Sequence, residues 1–163
     1  MKTVKRRSQK QEKSVAKDFN AKVTVASGAL WGMKADVRND KFLIECKTTE
    51  KDYYPLTAKV WEKIEQEAIR DHMRIPLMVI DLEDKDRVVV FRPQDFDSSI
   101  DRRCFQTKIP QTVRVRAKDL GVDEFGDYTS MIVTHICGKK NNVICLMLHK
   151  DFVDTFKEEL FNE

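Results

Sequence analysis

Apolar and polar positions alternate most clearly near the first third of the chain. Phe42, Ile44 and Cys46 occupy every second position, with Leu43, Glu45 and Lys47 between and after them, the period of two expected of a strand with one buried face. Ala35-Asp36-Val37 reads as a preceding strand and the polar run Arg38-Asn39-Asp40-Lys41 as the turn between them. With Asn39-Asp40 as a two-residue loop, Val37 faces Phe42, Asp36 faces Leu43, and Glu45 lies diagonally from Asp36 on the same face. That diagonal is on the order of 5–8 Å between Cβ atoms, close enough for two carboxylates to share a divalent ion. Lys47 points to the side of Glu45.

The same patterning predicts the other elements. A helix capped by Ser8 and running to about Phe19 carries Val15, Ala16 and Phe19 at helical spacing. Lys22-Val23-Thr24-Val25 alternates as a short strand, and Ala26-Ser27-Gly28-Ala29 is a small-residue loop that lets a ligand approach the backbone. A second helix is predicted from about Thr57 to Met73, with Val60, Ile64, Ala68 and Trp61 inward. Residues 76–80 and 87–91 form two strands around a charged turn. Residues 77–96 and 131–152 share one order, strand, polar turn, strand, then Asp-Phe, which predicts two similar hairpins rather than a solenoid. Residues 111–116 alternate as a strand with Arg114 and Arg116 on one face, and Phe152, Phe156 and Leu160 recur at helical spacing in a closing helix.

Composition then bounds the answer. A chain of 163 residues with 41% hydrophobic and 35% charged residues suits one compact globular domain with decorations. It has no apolar run of membrane-spanning length and no signal-type N-terminus, so the expectation is a cytoplasmic protein with no membrane partner. Cys46, Cys104, Cys137 and Cys145 lack zinc-site spacing and read as reduced thiols. The net charge is +3, but residues 1–22 hold eight basic residues against Glu12 and Asp18, a local +6. Residues 1–8 are expected to be a disordered basic arm able to add salt-dependent affinity for nucleic acid.

The candidate chemistry is phosphodiester hydrolysis. It needs a nucleophile made from water near neutral pH and an answer to charge building on phosphate oxygens. A divalent ion on one or two carboxylates supplies both. Asp36 and Glu45 meet that count, the backbone carbonyl of Cys46 is a further candidate ligand, and Lys47 would stand beside the attacking water. Lys34, Thr48 and Thr49 are placed by proximity to contact the DNA backbone.

The stretch Lys34-Ala35-Asp36-Val37 followed by Ile44-Glu45-Cys46-Lys47-Thr48-Thr49, with Glu12 in the first helix, the Ser27-Gly28 loop and the Trp61-Glu62-Lys63-Ile64 helix, resembles the PD-(D/E)xK nuclease superfamily. Within it, the likeness is to archaeal and phage-type Holliday-junction resolvases, over roughly residues 10–92. The resemblance implies an α/β fold, a central mixed β-sheet flanked by helices, here with an additional C-terminal β-hairpin and helix. It implies a nuclease core over residues 9–97, with residues 98–163 an extension packed on the same domain. It further implies catalytic Asp36, Glu45 and Lys47, Glu12 as an extra metal-side carboxylate, and Ser27-Gly28 near the scissile phosphate. Mg²⁺ or Mn²⁺ would be the cofactor, and a homodimer would act on branched double-stranded DNA, the four-way junction. Ala35 stands where the motif's name has proline. The alternatives are a sequence-preferring nicking, homing or restriction-like endonuclease and a non-catalytic DNA-binding scaffold.

Overall fold

A computed structural model describes residues 2–24, 35–83, 86–96, 99, 108–122 and 128–161. Helix α1 spans Lys2–Asp18. Strands β1 (Lys22–Val23), β2 (Val37–Arg38), β3 (Phe42–Thr48) and β4 (Tyr54–Thr57) follow, then α2 (Ala58–Arg70), β5 (Ile75–Asp81) and β6 (Arg87–Phe91). The rest comprises β7 (Thr112–Val115), β8 (Gly121–Val122), β9 (Tyr128–Thr129), β10 (Met131–Cys137), β11 (Asn141–Leu148), α3 (His149–Thr155) and α4 (Lys157–Phe161).

The centre is a seven-stranded sheet in the order β1-β2-β3-β5-β6-β11-β10. β3 and β5 pair parallel while the other neighbours are antiparallel, so the sheet is mixed. A parallel pair needs a crossover, and β4 with α2 supplies it.

Both faces of the sheet are covered, more than the single buried face expected of β3. Leu43, Met78, Ile80, Val88, Val90, Ile144 and Leu146 pack on one side with Trp61, Ile64 and Ala68 of α2. Phe42, Ile44, Cys46, Leu77, Val79, Val89, Phe91, Cys145 and Met147 pack on the other with Val15 and Phe19 of α1 and with Phe152, Phe156 and Leu160. Odd and even positions of each strand thus enter different cores, and a period of two alone cannot say whether the second face is wet.

The two hairpins with the shared order, β5–β6 and β10–β11, lie side by side. Their second strands pair, Val90 opposite Leu146, and the phenylalanines that end each copy meet, Phe96 and Phe152 rings standing 5.2 Å apart edge to face. Residues after 98 therefore complete the main sheet. The closing helix is two short ones, α3 and α4, which together keep the Phe152, Phe156 and Leu160 stripe buried.

Helix α1 begins at Lys2, so most of the arm expected to be disordered is helical, and Ser8 is no cap. Its hydroxyl lies within the helix and donates to Glu12 one turn on, at 3.2 Å. The helix turns Gln11, Val15 and Phe19 to the sheet, while Arg6, Lys10, Lys13 and Lys17 are exposed on the opposite side. Helix α2 starts as expected, its N-cap Thr57 accepting from the Val60 amide, and ends earlier, at Arg70. His72 and Met73 take left-handed backbone angles there, conformations no helix continues through.

Candidate active site

The hairpin register differs from the expected one by one loop position. Asn39 Oδ1 accepts the amides of Lys41 and Phe42, at 3.0 and 2.7 Å, and the Asn39 amide donates to the Phe42 carbonyl at 3.1 Å. This side-chain turn makes Asp40-Lys41 the loop. Val37 then pairs with Ile44 and Arg38 with Leu43. Continued by one residue, the register sets Asp36 directly across from Glu45 rather than diagonal to it. The slip is of two residues in the partner strand, so every side chain keeps its face.

Strand β2 begins only at Val37, and the next hydrogen-bonded pair of the ladder, Ala35 with Cys46, is replaced by a side-chain contact. The Cys46 amide donates to Asp36 Oδ2 at 2.9 Å. Because N–H and C=O of an extended residue share an edge, the Cys46 carbonyl faces the same edge. Lys47 Nζ sits 2.6 Å from Glu45 Oε1. Thr48 and Thr49 follow at the strand's end, where the Thr49 amide donates to the Asp81 carbonyl and its hydroxyl accepts from Lys51. Ser27, Gly28, Lys34 and Trp31 lie outside the described residues, as does Cys104.

The electrostatics identify a site with surplus negative charge. The Asp36 carboxyl is pushed up to about 6, first by burial, then by the charge of Glu45 and, more weakly, of Glu12; the Cys46 amide and Lys47 pull the other way. Glu12 thus reaches the centre through its field. Burial would push Lys47 down, but the Glu45 hydrogen bond and charge, with Tyr54 and Asp36 behind them, hold its ammonium above the usual range. The Cys46 thiol is raised by burial and by Asp36, Glu12 and Glu45, which leaves it protonated and inert.

Two neighbours were not anticipated. Gln11 is 2% exposed, and its Nε2 donates to the carbonyls of Lys47 (2.9 Å) and Val79 (3.2 Å), locking α1 to the ends of the parallel strands. Its signal was available: one turn back along the stripe of Val15 and Phe19 comes Gln11, a polar residue at a buried position. Tyr54 is raised by burial, with Lys47 lowering and Glu45 raising it, which places its hydroxyl in their company. A four-residue strand after a turn gave no such signal.

The donor set suits a hard divalent cation. Two facing carboxylates, one desolvated, and a carbonyl on the same edge are oxygen ligands whose mutual repulsion a cation relieves. Among the described residues no group of three or more His, Cys, Asp or Glu side chains is arranged to enclose an ion, so one or two carboxylates, backbone and solvent or substrate oxygens would have to suffice, the usual provision for Mg²⁺.

The fold is similar to that of Hjc, a Holliday junction resolvase from the archaeal hyperthermophile Archaeoglobus fulgidus, with a TM-score of 0.42 and 16% identity over 66% of this chain and 85% of that one. No family model matches the chain. No curated protein matches it either. No helix among the described residues is long and apolar enough to cross a membrane.

Proposed function

We propose that this chain is a Mg²⁺- or Mn²⁺-dependent endodeoxyribonuclease that resolves branched DNA, four-way junctions above all, as a homodimer. The observation that carries the nuclease reading is the pair Asp36 and Glu45 on one hairpin, Asp36 bound to the Cys46 amide next to Glu45, with Lys47 on Glu45 and with Asp36 pushed up to about 6. Charge of one sign gathered in a partly buried site is a feature of functional centres. The resolvase and dimer readings rest on the resemblance of the sequence motifs.

Asp36, Glu45 and the Cys46 carbonyl would hold the cation, with Glu12 adding negative charge behind them. When bound, a divalent cation supplies Lewis-acid stabilisation of the phosphate oxygens and a water ionised near neutral pH. Lys47 leaves Glu45 for the attacking water or a phosphate oxygen and stabilises the charge that develops there. Gln11 fixes the Lys47 carbonyl and so the direction from which the ammonium enters. Thr48 and Thr49, with Ser27, Gly28 and Lys34 from the segment between β1 and β2, would contact the backbone of the substrate strand.

The test is incubation with Mg²⁺ and either a four-way junction or a linear duplex of the same sequence. Paired nicks on the junction alone are expected. Equal cutting of both substrates would replace the resolvase by a restriction-like enzyme, and junction binding without any cutting would leave only a DNA-binding scaffold.

A further inference from the structure

Next to Lys47 the described surface is a short β-ribbon, one strand of which comes from the extension. β4 and β7 pair Tyr54 with Val115, Pro55 with Arg114, Leu56 with Val113 and Thr57 with Thr112. Paired residues share a face. Leu56 and Val115 are fully buried, with Tyr54 and Val113 packed against the same core. Pro55, Thr57, Thr112 and Arg114 therefore face outward, and Arg114 is exposed. Its guanidinium carbon lies 5.3 Å from the Tyr53 ring centroid and Lys51 Nζ lies 5.5 Å from the same ring. Both cations thus gather one residue from Tyr54, whose hydroxyl feels the charges of Lys47 and Glu45.

Arg114 differs from other arginines of the described residues in what holds it. Arg74, Arg87, Arg92 and Arg116 are each engaged by a carboxylate. No carboxylate among the described residues pairs with Arg114. An aromatic ring orients a guanidinium while leaving its edge donors able to fork onto phosphate.

At the other end of the ribbon, Thr57 and Thr112 line a groove of about 660 Å³ whose walls also carry Lys59, Lys63 and Lys139. The nearby carboxylates are mostly turned inward. Glu62 accepts the amides of Lys139 and Lys140 at 2.6 and 3.4 Å, and a Cβ at position 138 would collide with it, which explains Gly138. Glu65 is 4% exposed and pairs with Lys140 and Arg92. Lys63 to Glu67 and Lys118 to Asp52 are long pairs of 3.8 Å involving exposed lysines, of little strength in water.

We propose that the β4–β7 ribbon and the groove beyond it form a cationic track that holds the sugar–phosphate backbone of one DNA arm while its scissile phosphate lies at Asp36, Glu45 and Lys47. The inference rests on the nuclease reading and gives the extension a role in it. Four strand residues span about 13 Å, the rise of about four nucleotides, and cations interleaved with threonine hydroxyls are the groups that contact phosphates without reading bases.

The experiment measures fluorescence anisotropy of a labelled four-way junction with Ca²⁺ in place of Mg²⁺, from about 50 to 200 mM salt, for wild type, Lys51→Ala/Arg114→Ala, Lys51→Ala/Arg114→Gln, Lys59→Ala/Lys139→Ala and the control Arg116→Ala. Either ribbon variant should weaken binding about 10-fold and flatten the slope of log K against log salt by about 1.5–2. The groove variant should weaken binding about 3-fold, and the control should match wild type. Thermal midpoints should stay together, and cleavage at saturating DNA should remain near wild type. A wild-type slope and affinity in both ribbon variants, from a protein that still cuts DNA, would overturn the track and spare the nuclease reading. A wild-type protein that neither binds nor cuts DNA would overturn both.

Discussion

Two acidic clusters sit side by side at the ends of β3 and β5, and they treat charge in opposite ways. Asp81, paired in register with Thr48, meets Arg87 Nε at 2.7 Å and a second guanidinium nitrogen at 3.3 Å. The remaining nitrogen of Arg87 reaches Ser14 and Asp18 of α1 at 3.1 and 3.4 Å. One guanidinium satisfies two carboxylates and ties a helix to two strands. Three residues back along β3, Glu45 and, more weakly, Glu12 act on Asp36, and the one ammonium beside them, Lys47, is committed to Glu45. In the first cluster each carboxylate has a guanidinium nitrogen of the fold against it, and the cluster serves as a clamp. The second keeps negative charge that a cation from outside would offset, and this separates a candidate site from a salt bridge in a chain where charged residues are 35% of the sequence.

The largest effect should come from the unbalanced cluster. Asp36→Asn or Glu45→Gln is expected to lower the rate of DNA cleavage by about 10³-fold or more; Asp36→Asn should leave the urea midpoint unchanged or higher, since it removes repulsion, whereas Glu45→Gln also gives up the ion pair with Lys47. Retained cleavage would mean that the centre is elsewhere. Arg87→Ala should do the reverse. Losing the partner of two partly buried carboxylates should cost about 2 kcal/mol of folding stability, read by urea denaturation, with cleavage well below the midpoint held within a few-fold. If Arg87→Ala abolished activity in a folded protein, the clamp would belong to the site.

The smallest effect sharpens the contrast through pH. The Asp36 carboxyl is raised from 3.8 to about 6 in the folded protein. A raised carboxyl contributes stability that is fully present below its unfolded value and lost as pH rises through its folded one. His149, lowered by burial and by Arg87, works oppositely: its contribution is present above the unfolded value and lost as pH falls. The informative quantity is therefore the Tm of Asp36→Asn minus that of wild type. Without divalent metal, that difference should grow as pH rises from about 4 to about 7. Mg²⁺ at neutral pH should then raise the wild-type Tm by a few degrees and the variant's by less. A difference flat in pH would show that the Asp36 carboxyl is not raised in the folded protein.

Much of the site was legible because its parts are close in sequence. The alternation through Phe42, Ile44 and Cys46 set the face of Glu45 and Lys47 whatever the turn, and both the expected and the observed register preserve it. What failed was the loop position. The side chain of Asn39 accepts two amides and moves the turn to Asp40-Lys41, a local competition that residue preferences alone do not decide. Gln11 and Tyr54 were missed for a different reason: Gln11 meets Lys47 only after α1 has docked across 36 residues of chain, and Tyr54 lies in a short strand held by pairing with the distant β7.

The sequence by itself determined which side chains share a face, because strand and helix periods follow from covalent geometry within a few residues. It therefore fixed Asp36, Glu45 and Lys47 as a candidate set, α2 as a covering helix and the two hairpins as copies of one pattern. Only the tertiary structure decided that both sheet faces are buried, that β6 pairs with β11, and that Arg114 comes to rest on Tyr53 beside the centre. Those outcomes depend on which surfaces meet after long loops close, a choice made by packing and hydrogen bonding across the whole chain.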